Sequence, residues 1–495
     1  MNRGSTPHRP GRPGVALASL LVASFVPRSA SAQDCIHTRP TDPGGVNGYD
    51  YGAAEVRHHD GAYVRVFYAV SGTHAPNLDS VRSDGVPDSV ALVASVTDDA
   101  LVRFKGMGFR EPISDGAYDA CASNGGSGAF DVYLVRFAGA DGVTVPEACK
   151  DVGKTTRCSG FIMVDATFAR GYGSYAEGVR TVLPHETFHA IQNAYDLEVD
   201  RAWAEGSAQW AAKKLDPSLP DLERFLPAFF SEPSRSMDVP ASGATASYLY
   251  GAAIWPVFLT QRHGDTIVRR ALEIESDVGG GSVAAVGAAL TELDAKLSLE
   301  SELPTFAAWN ASTGKRAGAG GYTDAAKYPM VKLGALGGEV SALTSGYGWA
   351  AYSLDLATDD VRVDVDLETD GTRNRALVVP LVDGRADVAN AVPLPATNVG
   401  PALVVVAGVT SKKSDAPYVI RVSPHVEATP DGGTSASDAR SSGPAADGGG
   451  GTTDAGGCNV WRSRARSSPG SALDAIALGF GVMVAFRRRR QPSSS

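Results

Sequence analysis

The sequence lacks a long hydrophobic run. Gly14 to Val26 is apolar, and so is Ala475 to Phe486, but both fall short of the roughly 20 residues a helix needs to cross a bilayer. Positive charge is in deficit. The chain carries 45 Lys and Arg against 55 Asp and Glu, a net charge of −10, which argues against nucleic acid as a main partner. Cysteine is sparse: Cys35, Cys121, Cys149, Cys158 and Cys458 include no closely spaced pair of thiolates, which argues against a cysteine-ligated zinc. Finally, no histidine stands ten residues after His185, where Tyr195 is found. That excludes the three-histidine metzincin arrangement.

What is present is globular in composition. At 43% hydrophobic and 20% charged, 495 residues are too many for one compact core. Arg3, Arg9 and Arg12, the apolar run and Ser29-Ala-Ser-Ala32 read as a secretory signal over 1–32, with Gln33 as mature start. Export means an oxidising setting. Proximity then suggests Cys149 paired with Cys158, and Cys35 with Cys121.

Residues 33–330 read as α+β, a mixed sheet with a helical subdomain. Tyr63 to Tyr68, Phe130 to Phe137 and Phe161 to Val164 have the alternation or apolar density of strands. Val86, Val90, Val93, Ala100 and Phe104 repeat at helical spacing behind Pro87, and Gly106 and Gly108 stop that helix. Asp84, Gly85 and Asp88 fit a helix N-terminus better than a Ca2+ loop, because Ser80 and Arg82 occupy the earlier loop positions. Leu222 to Phe230 and Ser247 to Glu273 also look helical. From 331 to 424, short runs such as Trp349 to Leu354, Val361 to Asp366, Ala376 to Pro380, Ala402 to Ala407 and Tyr418 to Val422 read as a separate antiparallel β-sandwich. Residues 425–457, mostly Gly, Ser, Ala and Asp, read as a flexible linker. Residues 458–495 read as a sorting or membrane tail, with Cys458, the short apolar run and Arg487 to Arg490 in order.

The chemistry concentrates in Val182 to Tyr195, VLPHETFHAIQNAY. His185 and His189 are four apart and share a helix face, so their imidazoles can share one tetrahedral metal, usually Zn2+. Glu186 lies beside them, placed to take a proton from the water such a metal activates. Pro184 requires that the helix either starts there or bends just before His185. Glu205, sixteen residues past His189 in Trp203-Ala-Glu-Gly-Ser-Ala-Gln-Trp210, is the expected third ligand, ahead of Asp196, Glu198 and Asp200 in the intervening turn. A tyrosine of Ser247-Tyr-Leu-Tyr-Gly-Ala-Ala253 could stabilise an oxyanion or simply belong to the core.

Two resemblances follow. Gly457 to Arg490 resembles the MYXO-CTERM sorting signal of myxobacterial surface proteins, which implies modification near Cys458 and display at the cell surface. Tyr63 to Tyr328 resembles secreted myxobacterial metalloproteases of the zincin type. The matching pieces are Tyr63 to Tyr68, Asp84 to Asp88, His185 to Asp196, Trp203 to Trp210, Tyr250 to Ala253, and Ala308-Trp-Asn310 with Gly314 and Arg316. The wider likeness is to gluzincins. It implies a zincin-like fold over 33–330, zinc on His185, His189 and Glu205, and Glu186 as general base. Tyr248, three residues before Gly251, is similar to the catalytic tyrosine of zinc aminopeptidases, with Tyr250 as the competing choice. The Gly-x-Met-Glu-Asn element that binds a free N-terminus in those enzymes is absent, which favours an endopeptidase acting on protein or peptide. The rival expectations are an inactive surface adhesion protein, which the intact Glu186 argues against, and a zinc hydrolase of non-protein substrates such as cell-wall cross-links.

Overall fold

The computed structural model describes residues 39–114, 117–118, 125–238, 246–279, 281–369, 373–410 and 415–426. The segments read as a secretory signal, a linker beyond 426 and a sorting tail, with Cys35, Cys121 and Cys458, lie outside the described residues. Those described as far as His425 belong to one compact unit, and the class is α+β.

The N-terminal half is built on a mixed sheet. Its strands are β1 (Val56–Asp60), β2 (Val64–Ala69), β3 (Phe130–Val135), β4 (Gly142–Val152) and β5 (Thr155–Asp165), in the order β1-β2-β3-β5-β4. β2, β3 and β5 run parallel, while β1 and β4 are antiparallel edges. The two-residue alternation of a strand sorts the side chains. Val64, Val66 and Tyr68 join Val132 and Leu134 on the face covered by α1 (Asp88–Gly106) and α2 (Tyr175–Asn193). Phe67, Ala69, Tyr133 and Val135 point the other way, to Val46, Tyr51 and Phe137. The N-terminal segment is pinned to that second face by Arg39. It is 1% exposed and grips Glu147 of β4 with two bonds of 2.8 and 2.6 Å, and Asp131 of β3 as well.

β4 was not foreseen. Pro146 sits inside it, and proline interrupts the apolar alternation that marks a strand. An edge strand tolerates proline because one side of its backbone needs no ladder partner, and the register shifts between Pro146 and Cys149. Cys149 lies opposite Cys158 on β5 and is disulfide-bonded to it, the pairing expected from proximity. The Asp84–Asp88 stretch precedes α1 without converging on a cation. Asp84 is bound to Arg82 and to the Val86 amide, and Asp88 receives the Val81 amide.

Helices follow: α3 (Arg201–Leu215), α4 (Asp221–Phe230), α5 (Ala246–Gly251), α6 (Ile254–His263), α7 (Thr266–Val278), α8 (Ser282–Leu293) and α9 (Leu299–Ala311). The single helix expected over 247–273 is three. Gly264, at a φ of +84°, ends α6 in a conformation other side chains resist. At Gly251 a Cβ would stand 2.7 Å from the Phe225 carbonyl oxygen, so α5 and α4 meet backbone to backbone.

The remaining strands are β6 (Gly334–Leu336), β7 (Glu339–Ser345), β8 (Trp349–Leu354), β9 (Val363–Thr369), β10 (Asn374–Val382), β11 (Arg385–Ala386), β12 (Val392–Pro393), β13 (Ala396–Val399), β14 (Ala402–Gly408) and β15 (Asp415–Pro424). They form a six-stranded sheet around β10, β14 and β8 and a four-stranded sheet in the order β13-β9-β15-β7. All pairs are antiparallel except β6 with β8. β14 explains how this part joins the helices. Val404 and Val406 face the second sheet, with Val365 and Ile420. Leu403, Val405 and Ala407 face the helices, in one cluster with Phe306 and Ala307 of α9. The core therefore runs without a break across residue 330.

Candidate metal centre

α2 begins at Tyr175, so of the two readings of Pro184 a helix start there is ruled out, and the proline lies inside the helix. Ser174 caps it by accepting the Glu177 amide at 3.1 Å, and the Glu177 carboxylate takes the Gly173 amide at 2.9 Å. That capping starts the helix about two and a half turns ahead of Pro184, which is carried inside it at the cost of one backbone bond.

The last two turns of α2 bring His185 and His189 onto one face, and α3 crosses to deliver Glu205. Gly206 permits that approach. A Cβ there would be 3.1 Å from the Ala252 carbonyl carbon, so the glycine after Glu205 lets α3 close on the turn that follows α5. The His185 and His189 Nε2 atoms are 3.0 Å apart, and Glu205 Oε2 lies 3.3 and 3.4 Å from them. Two ligands each about 2.0–2.1 Å from a tetrahedral zinc would stand roughly 3.3 Å apart. The triangle has that size. Glu205 is 4% exposed, and its Oε2 has no hydrogen bond of normal geometry. A buried carboxylate oxygen in that state is costly unless a cation meets it.

The electrostatics agree with the geometry. Burial disfavours a charged His189, yet the Glu205 carboxylate outweighs it and raises the imidazole to about 9. Burial likewise opposes charge on Glu205, and the two imidazoles overcome it, holding the carboxyl well below its usual range. The pocket draws positive charge. The donor set of two imidazoles and one carboxylate suits a zinc ion with an open position.

Glu186 is buried beside the cluster and does not join it. The Thr144 hydroxyl of β4 stands against it, with one hydrogen to share between the Glu186 carbonyl oxygen at 2.7 Å and Oε2 at 2.9 Å. Gly142 makes room for it: a Cβ there would be 2.9 Å from Glu186 Cγ and 2.5 Å from a Val182 methyl.

Of the two tyrosines, Tyr250 faces the centre. Its ring meets that of His185 edge to face at 5.5 Å. Burial first, then the Glu205 and Glu186 charges, push its hydroxyl well above the ordinary tyrosine range, so it remains a proton donor. Tyr248 is two residues away on α5 and points elsewhere, against Phe229 and under the Arg235 guanidinium. The expectation for Tyr248 is therefore corrected, because positions two apart on a helix lie on opposite sides. Of the alternative carboxylates, Glu198 is exposed, and the other two are engaged elsewhere. Asp196 receives the Thr156 amide, and Asp200 the Ser282 amide.

Sequence reasoning missed Thr144, Gly142 and Gln192. The first two lie on the unforeseen β4. Gln192, buried at 2% exposure, accepts from His189 and reaches α3; its place three residues after His189 was the available signal. No protein-family model matches the chain, and no curated protein matches it. Among the described residues no helix is long and apolar enough to cross a membrane.

Proposed function

We propose that the chain is a zinc-dependent endopeptidase, exported and attached at the cell surface, with a zincin-like fold over 33–330 and a β-sandwich over 331–424. The observation that carries the reading is the convergence of His185 Nε2, His189 Nε2 and Glu205 Oε2 beside a buried carboxylate that is not one of them. These three residues would hold Zn2+. When bound there, zinc supplies a Lewis acid that polarises a scissile carbonyl and lowers the pKa of water towards neutrality. Glu186 takes the proton of the attacking water and hands it to the leaving amine. Thr144 fixes the carboxylate for that transfer. The Tyr250 hydroxyl donates a hydrogen bond to the oxygen on which charge develops.

β4 gives the substrate its direction. It is the last strand of its sheet, and Thr144 and Gly142 place it along the base. Its free edge can hold an extended peptide by main-chain hydrogen bonds, which favours protein or peptide over a substrate without a regular backbone. The surface address rests on the N-terminal signal and on the resemblance of Gly457 to Arg490 to the MYXO-CTERM tail.

The test is proteolysis of a mixed protein substrate by the zinc-loaded chain beside Glu186→Gln. Cleavage by the wild type should fall by at least about 100-fold in the variant, while stoichiometric zinc binding persists in both. Zinc binding without cleavage by either protein would refute the peptidase reading.

A further inference from the structure

Gln192 couples the two ligand-bearing helices through a chain of bonds whose direction can be worked out from one end. Its Nε2 lies 2.9 Å from the Ala204 carbonyl oxygen and 2.9 Å from Ser207 Oγ, both on α3. Its Oε1 lies 2.7 Å from His189 Nδ1. A carbonyl can only accept, so the amide atom facing Ala204 is the nitrogen. The Ser207 hydroxyl spends its own hydrogen on the Trp203 carbonyl at 2.7 Å, which leaves its oxygen free to accept from Gln192. Both anchors on α3 therefore turn Oε1 towards His189. That oxygen accepts only, so the proton of the neutral imidazole sits on Nδ1. The lone pair is then on Nε2, the atom that faces His185 Nε2 and Glu205 Oε2. Gln192 and Ser207 are both buried, so no solvent competes for these bonds.

We propose that Gln192 is a positioning residue that fixes the tautomer and ring orientation of His189 and sets them against the helix carrying Glu205. The proposal rests on reading His185, His189 and Glu205 as a metal centre. It adds the device that ties the orientation of one ligand to the backbone next to another. An acceptor on the far ring nitrogen also makes the ligating nitrogen more basic.

The experiment measures zinc affinity of the full chain by competition with a chromophoric chelator, and the visible spectrum of its Co2+ form. Gln192→Met keeps the volume and removes both functions, and should weaken zinc about 10–100-fold and lower the intensity of the tetrahedral Co2+ bands. Gln192→Glu keeps an acceptor for Nδ1–H and gives up the donors to α3, since Ser207 can turn its hydroxyl towards the carboxylate. It should hold zinc more tightly than Gln192→Met but less tightly than the wild type, because a carboxylate oxygen then faces the Ala204 carbonyl, with the Co2+ bands retained. Affinity unchanged in Gln192→Met would overturn the proposal. So would equal loss in both variants, which is the result of a purely structural tie between α2 and α3. A wild type whose zinc binding is indifferent to His189→Ala would instead refute the metal centre itself.

Discussion

One added methyl group should disable the base without touching a ligand. At Gly142 a Cβ would stand 2.9 Å from Glu186 Cγ, 3.1 Å from its Oε1 and 2.5 Å from Val182 Cγ1. Carbon atoms at rest lie about 3.5–4.0 Å apart, so Gly142→Ala must drive the Glu186 side chain, or β4, back by roughly 0.6–1.1 Å. A misplacement near 1 Å at a reacting group costs about 100-fold in rate. The same crowding costs on the order of 1–3 kcal/mol of stability. The assay is kcat/KM on an unstructured protein substrate, with thermal unfolding and zinc affinity measured on the same preparation. The expected signature is a rate loss near 100-fold, a melting temperature a few degrees lower, and zinc affinity unchanged. A variant with wild-type kcat/KM would refute the argument, because a base whose position does not matter is not the base.

Two further outcomes follow. Tyr250→Phe should lower kcat about 100–1,000-fold, the scale of one lost oxyanion donor, with zinc affinity retained. Tyr248→Phe, whose ring lies against Phe229, should leave kcat unchanged, and steady-state kinetics on both separates them. Glu275 of α7 is raised to about 7. Burial is the main cause; repulsion by Asp200 and Asp196 adds to it, and the Ser282 hydroxyl works against it. A carboxyl raised by folding binds its proton more tightly in the native state. Its contribution is therefore greatest below the unfolded value near 4.5, falls as pH rises towards 7, and reaches a loss of up to about 3 kcal/mol above it. Glu275→Gln should flatten that part of the stability–pH curve in denaturant titrations between pH 5 and 8; an unchanged slope would refute the assignment.

The His185, His189 and Glu205 cluster was legible because one helix face and one carboxylate on the next helix leave a short-range sequence pattern. His185, His189 and Glu205 need only α2 and α3 to meet. The base's surroundings were not legible, because Thr144 and Gly142 come from a strand disguised by Pro146, at a distance no local periodicity reports. Tyr248 and Tyr250 are both apolar-flanked tyrosines of one short helix, and only the packing of α5 against α4, set by Gly251, decides which one turns inward. After 331, β8, β9, β10, β14 and β15 were readable as short apolar runs between turns. Their union with the helices was not, since β14 is apolar on both faces and such a run does not say what covers each side.

Arg39 sets a limit on how much of its own beginning the chain can lose. Removal of Arg39 would take its guanidinium from the buried carboxylates of Asp131 and Glu147, and the loss would be felt at β4, the strand that carries Thr144 and Gly142. A truncation that takes Arg39 is thus felt across the sheet, at the edge strand beside Glu186.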